Sequence, residues 1–258
     1  MLYGTVIGDI AGSRFEFGGN PKKKNFELFH YKDRFTDDTI MTLAIYEATK
    51  RIKENKCDDN EARKIFVEEM QKWGREYINA GYGSKFHNWI ESADPHPYGS
   101  WGNGSAMRVA AIGNMFDTLE EVEYYATLSA DVTHNHPEGI KGAKAIAGAI
   151  FIARTTRNKK KVKSYIASLG YKMRHSMFVR PHYKFDVSCQ GTIPVAVEAF
   201  IESHNFEEAI RIAVSMGGDS DTIGAITGSI AEAYYGVPDD LKQRCKKYLD
   251  EHILNVIV

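Results

Sequence analysis

Cysteine is scarce in this 258-residue chain: Cys57, Cys189 and Cys245 make an odd three, with no C-x-x-C spacing among them. That count excludes a disulfide framework and points to a reducing compartment. An excess of either charge is also missing, because the formal net charge is −1. Without a bulk positive field to gather phosphates, a nucleic-acid surface is not expected. Long apolar runs are absent as well. The longest, Ala145 to Ala153, falls far short of the ~20 residues that cross a bilayer. The opening MLYGTVIGDIAGSRFEF has no basic n-region, and Gly8 and Asp9 interrupt its apolar run, so it does not read as a signal peptide. The expectation is a cytoplasmic protein with a small-molecule partner, no membrane association and an open oligomeric state. Finally, there is no repeated period-two alternation, no Ser/Gly linker and no low-complexity tract. A sheet protein is thereby excluded, and residues 1–258 are expected to form one domain.

Helical periodicity is what the chain does have. Ile40, Leu43, Ala44, Ile45, Ala48 and Ile52 recur at spacings near three and four, and Ile65, Phe66, Met70 and Trp73 repeat the pattern. The second of these helices is predicted over 59–81, with Gly81 as its C-cap. Further helices are predicted over 136–156, with Pro137 near the first position, and over 193–203, 205–218, 220–236 and 238–253. The fold class is therefore all-α. Three long loops interrupt the helices, at 14–35, at 82–107 and around 172–191, and long loops in a compact domain tend to carry function. The basic run Arg157 to Lys163 is read as capping a helix end and solvating a connection.

Two acidic clusters stand out. Thr36-Asp37-Asp38-Thr39-Ile40 and Asp219-Ser220-Asp221-Thr222-Ile223 each end in Asp-Thr-Ile, and each opens a helix. Either one alone reads as an N-cap with acids suited to the helix dipole. Capping needs a single acceptor, however, and each helix start offers three adjacent oxygen-bearing side chains. Carboxylates crowded against an apolar run must be neutralised or protonated. If the two starts meet, Thr36, Asp37, Asp38, Asp219, Asp221 and Thr222 supply only oxygen donors, the chemistry of a hard cation rather than zinc. Gly224, Ala225, Gly228 and Ala231 supply a small-residue face that permits close helix approach.

Gly99, Gly102 and Gly104 precede a predicted helix at Ala106, without the G-K-[ST] of a P-loop. Backbone amides there suit an anion, although a tight turn explains the glycines equally well. Trp101 can stack on a base or sugar, or cover the core. His134 and His136 lack the further His or Cys ligands that zinc requires, and Glu16 is unexceptional alone.

Taken in order, GDIAGSRFE, FTDDT, GSWGNGSAMRV, THNHPEGIKGA and GGDSDTIGAITGSIAEAYYG resemble the ADP-ribosylglycohydrolase family, the group that includes dinitrogenase-reductase-activating glycohydrolase. The resemblance runs from Gly8 to Gly236. It implies a compact orthogonal helical bundle whose cleft holds two Mg2+ ions, or Mn2+, with Thr36, Asp37, Asp38, Asp219, Asp221 and Thr222 as ligands. It implies that Glu16 lies at the scissile linkage. The loop carrying Gly99, Ser100, Trp101, Gly102, Asn103 and Gly104 would cradle the diphosphate and ribose, and His134 would touch substrate. The implied reaction is cation-dependent hydrolysis at C1″ of the distal ribose, through an oxocarbenium-like state. ADP-ribose would thereby leave a modified protein side chain or small molecule, with Glu16 and Asp38 the candidate bases. A phosphohydrolase or esterase acting on a derivative such as ADP-ribose-1″-phosphate is the alternative enzyme, and a non-catalytic ADP-ribose binder the alternative without chemistry. The acceptor stays open, because 85–98 match no acceptor-specific pattern.

Overall fold

Helices account for every regular element among the described residues, which in this computed structural model are 1–19, 22–55 and 57–257. In chain order they are α1 (Tyr3–Ser13), α2 (Asp37–Asn55), α3 (Asp59–Glu76), α4 (Ser84–Glu91), the single turn α5 (Gly104–Met107), α6 (Ala110–Met115) and α7 (Leu119–Asp131). There follow α8 (Pro137–Thr156), α9 (Lys159–Ser168), the single turn α10 (Ser176–Val179), α11 (Cys189–Glu202), α12 (Phe206–Val214), α13 (Ser220–Tyr235), α14 (Asp239–Cys245) and α15 (Glu251–Ile257). Strand-like pairing is limited, among these residues, to an isolated antiparallel bridge between Gly102 and Ser188. The all-α expectation holds.

Several boundaries differ from the sequence reading, each for a local reason. α3 stops at Glu76, five residues before Gly81, because Tyr77 leaves helical geometry and Ala80 N–H turns back to the Tyr77 carbonyl. Ala80 O then accepts from Asp37 N–H at 3.0 Å, which ties this turn to the start of α2. The predicted helix over 238–253 breaks into α14, a 3₁₀ turn at Lys246–Tyr248, and α15. The second long loop contains α4, and the third contains α10. The sequence reading singled out neither α7 nor α9, although each carries a cap. Thr118 and Glu121 form a capping box on α7, and Asn158 accepts from Lys160 and Lys161 N–H at the start of α9. The lysine run thus opens a helix instead of closing one. Only Arg157, in the left-handed conformation, ends α8.

α13 is the central element, packed on α1, α8, α11 and α12, with Ile223, Ile226 and Ile230 fully buried. Each such isoleucine stabilises the fold by roughly 1.5–3 kcal/mol. Its approach to α1 is set by glycine on both sides. A Cβ placed on Gly8 would lie 2.0 Å from the Gly224 carbonyl oxygen, and one on Gly4 would lie 2.2 Å from that of Gly228. No side chain fits either gap, so backbone packs on backbone. One consequence is that Asp9, next to Gly8, is carried into the interior beside the starts of α2 and α13.

Candidate active site

The site is assembled where the starts of α2 and α13 meet α1. At the start of α2, the work of a cap falls to a residue from another helix. Asp9, fully buried on α1, accepts from Thr36 N–H at 2.8 Å, Thr36 Oγ1–H at 2.7 Å and Thr39 N–H at 3.1 Å, and also from the Thr39 hydroxyl. With these amides satisfied from outside, Asp37 and Asp38 in the first turn are released from capping. Asp38 is buried, and its Oδ1 has no hydrogen-bond partner.

At the start of α13, Gly217 and Gly218 both sit at φ +69, a left-handed pair that swings the chain into Asp219. Asp219 occupies the N-cap position yet makes no side-chain cap bond. Its Oδ2 instead accepts from the Asn103 amide. Thr222 Oγ1–H reaches across to Asp38 Oδ2 at 3.0 Å, so the two acidic helix starts do meet. Carboxylate oxygens of Asp9, Asp38 and Asp221 lie within 4.8 Å of one another, and those of Glu16, Asp219 and Asp221 form a second such group sharing Asp221.

Among the described residues, no lysine or arginine forms an ion pair with Asp9, Asp38, Asp219 or Asp221. Burial, and after it the mutual repulsion of the acids, holds Asp38 and Asp221 well above the usual carboxylate range. Burial and then the charge of Asp9 raise Asp37 to about 8, while burial and then the charge of Asp219 raise Glu16 to about 7. Two groups of oxygen donors, an unpartnered buried carboxylate oxygen and, among the described residues, no Lys or Arg ion-paired with these acids together fit hard divalent cations.

These acids floor a cleft of about 560 Å³. Of the residues expected at the site, it is lined by Glu16, Asp37, Asp38, Ser100, Gly102, Asn103, Gly104, His134, Asp219, Asp221 and Thr222. Thr36 lies behind the floor with its hydroxyl committed to Asp9. Gly99 and Trp101 lie off the lining. Trp101 is 54% exposed, with its ring edge-on to His136 at 5.5 Å. Asn103 is buried, and its amide group donates to Thr192 Oγ1 at 2.9 Å and to Asp219, so that group orients a carboxylate. Asn103 N–H is bonded to the Val187 carbonyl at 2.7 Å and Gly102 N–H to Ser100 Oγ, which leaves fewer loop amides for an anion than the glycine spacing suggests. His136 caps α8 by accepting from Glu138 N–H.

Some lining residues were not singled out from the sequence. Asp9, buried behind that lining, was not singled out either; the sequence reading used it as an interruption of an apolar run and as part of GDIAGSRFE. Arg108, Lys85, Tyr82, Phe86, Tyr98, Phe17 and Phe185 are among the further wall residues. The rings of Phe17 and Phe185, from the first and third long loops, stack at 6.0 Å across the mouth.

Comparison with known proteins identifies the family. The chain matches the sequence profile described as ADP-ribosylglycohydrolase over residues 1–257. It is 23% identical to the Homo sapiens ADP-ribosylhydrolase ARH3, aligned over 98% of this chain and 90% of the human protein. It is 24% identical to the ADP-ribosyl-[dinitrogen reductase] glycohydrolase of Rhodospirillum rubrum, over 92% of this chain and 84% of that one. A solved structure titled ADP-ribosylglycohydrolase-related protein complex superposes with a TM-score of 0.70 at 24% identity, covering 98% of this chain and 92% of the other, and so shares the fold. With a family profile spanning nearly its whole length, the chain belongs to the ADP-ribosylglycohydrolase family.

Proposed function

We propose that the protein hydrolyses the glycosidic bond at C1″ of the distal ribose of ADP-ribose, releasing ADP-ribose from a modified acceptor, in a reaction that depends on two Mg2+ or Mn2+ ions. The observation that carries this reading is the unneutralised acid floor, with Asp38 Oδ1 unpartnered and Asp221 shared between two groups of donors. Asp37, Asp38, Asp219, Asp221 and Thr222 would hold the ions, with Thr36 behind them. When bound, the ions would orient the ribose hydroxyls and make nearby water more acidic.

The rest belongs to the chain. Glu16 is half-buried at the edge of the floor, and with its carboxyl raised to about 7 it is suited to take a proton from water near neutral pH. Oxygen from that water joins C1″, the bond from C1″ to the acceptor atom breaks, and the acceptor leaves with a proton. Asp38, the second candidate base, is more deeply buried and already holds the Thr222 hydroxyl, which favours Glu16 in this role. Positive charge that develops on the ribose in an oxocarbenium-like state is stabilised by the surrounding carboxylates. The glycine-rich loop and His134 form a wall of the same cleft, where diphosphate and ribose would lie. Asn103 serves by fixing Asp219.

Relatives named as hydrolases of ADP-ribosylated substrates, among them the ADP-ribosylarginine hydrolase Tri1 of Pseudomonas putida, support the same chemistry. The test is a panel of ADP-ribosylated arginine, ADP-ribosylated serine, ADP-ribose-1″-phosphate and O-acetyl-ADP-ribose, incubated with protein and Mg2+, with products identified by mass. Free ADP-ribose from an arginine or serine conjugate is expected. Turnover of the phosphate alone would make the protein a phosphohydrolase, and tight ADP-ribose binding without any turnover would make it a binder.

A further inference from the structure

Arg108 is only 1% exposed, and among the described residues it forms no ion pair with a carboxylate. An uncompensated buried guanidinium is costly unless its hydrogens are well used. Nη2 donates to the Ser129 carbonyl at 2.7 Å and to Thr133 Oγ1 at 2.9 Å, the guanidinium lies over the Phe86 ring at 5.8 Å, and Nε has no partner. A guanidinium can only donate, so the Thr133 hydroxyl accepts from it and has one hydrogen left to give. Two acceptors stand within reach of that hydrogen. His134 Nδ1 is 2.8 Å away, whereas the Ala130 carbonyl is at 3.4 Å, the far limit of a hydrogen bond.

Giving that hydrogen to the shorter contact makes Nδ1 an acceptor and puts the ring's proton on Nε2. Burial, and after it the charge of Arg108, holds His134 well below the usual imidazole range, so the ring is neutral and has one N–H to offer. Nε2 faces the glycine-rich loop. A Cβ on Gly104 would lie 3.1 Å from it and one on Gly102 3.6 Å, so the two glycines keep that N–H open to the cleft.

We propose that Arg108 is a positioning residue which, through Thr133, fixes His134 as an Nε2–H donor for an anionic ligand oxygen lying between Gly102 and Gly104. The proposal deepens the function given above and rests on its reading of this wall as the diphosphate–ribose side. Side-chain nitrogen NMR of the 15N-labelled protein with Mg2+ reads the tautomer without any turnover, and ADP-ribose titration reads its consequence. Wild-type protein is expected to carry the His134 proton on Nε2 alone. Thr133→Val should mix the tautomers and weaken ADP-ribose binding about tenfold, or ~1.4 kcal/mol. The loss in turnover should fall on KM more than on kcat, as for a contact made equally in ground and transition states. Thr133→Ser should restore both the tautomer and the affinity, which a merely structural role for the hydroxyl would not require.

Arg108→Met should act in the same direction as Thr133→Val; if it does not fold, the Thr133 pair carries the test. A wild-type ring protonated on Nδ1, or a Thr133→Val protein that keeps the pure Nε2–H tautomer, would overturn the proposal. The tautomer pattern set out above, combined with no ADP-ribose affinity in the wild type, would support the relay while overturning the ADP-ribose reading.

Discussion

Asp38 is the residue whose surroundings are hardest to reconcile with a purely structural role. A buried carboxylate with one oxygen unpartnered and other acids beside it destabilises the protein that holds it, unless a cation arrives. Asp38→Asn is therefore expected to raise the melting temperature of cation-free protein by a few degrees, since ~1 kcal/mol corresponds to about 2–4 °C at this size. The same change should abolish the stabilisation that Mg2+ gives the wild type and reduce turnover by at least about a thousandfold; calorimetric melts with and without Mg2+ check the first two. Glu16→Gln should separate binding from chemistry, with Mg2+ affinity within a few-fold of wild type and kcat down by about 10²–10⁴. Loss of cation binding in Glu16→Gln would instead make Glu16 a ligand first. Legibility at this scale followed chain proximity. Asp37, Asp38, Asp219 and Asp221 announce themselves as pairs within a few residues. The partners of Asp9 lie 27 and 30 residues away, so no local pattern shows that it caps α2 from α1. The amide group of Asn103 is committed to a carboxylate 116 residues distant, which its place in a glycine-rich loop does not reveal.

The pair α1 and α13 sets the geometry of the floor, because one carries Asp9 and the other begins with Asp219 and Asp221. Half of their contact was visible in the small residues of α13. The matching Gly4, Gly8 and Gly12 of α1 lie more than 200 residues away in sequence from their partners on α13, and a Cβ added to Gly8 would lie 2.0 Å from the Gly224 carbonyl oxygen. Gly8→Ala is expected to force the helices apart, with a cost at or above the about 1–3 kcal/mol typical of overpacking. A chemical-denaturation midpoint would read that loss, and weaker Mg2+ binding should accompany it. Unchanged cation affinity in a destabilised Gly8→Ala protein would show that the floor tolerates a shift of α1. Helix existence was legible where apolar spacing was long, as in α2, α8 and α13. It was not legible where short elements owe their geometry to partners, as in α4 and α10 within the long loops. The end of α3 belongs to the same class, since the turn that closes it is held by Asp37 N–H from α2.

For the molecule as a whole, the concentration of buried acid makes stability depend on pH in an unusual direction. Asp9, Glu16 and Asp37 are raised to about 6, 7 and 8, burial being the first cause in each case, against about 4 for carboxyls in the unfolded chain. The folded state then binds more protons than the unfolded one, so stability falls as pH rises through this interval. Cation-free protein should melt at progressively lower temperature from about pH 4.5 to about pH 8. Mg2+ should flatten or reverse the slope, because the ions bind the deprotonated acids. A metal-free profile that rises across this range would mean that the acids are neutralised from within. The direct measurement of the central claim is release of ADP-ribose from an ADP-ribosylated arginine or serine peptide by chelator-stripped protein, with and without added Mg2+, beside Asp219→Asn. The account predicts no release from stripped protein, full recovery on adding Mg2+ to the wild type, and none in Asp219→Asn. Equal release with and without cation by the stripped wild type would contradict it.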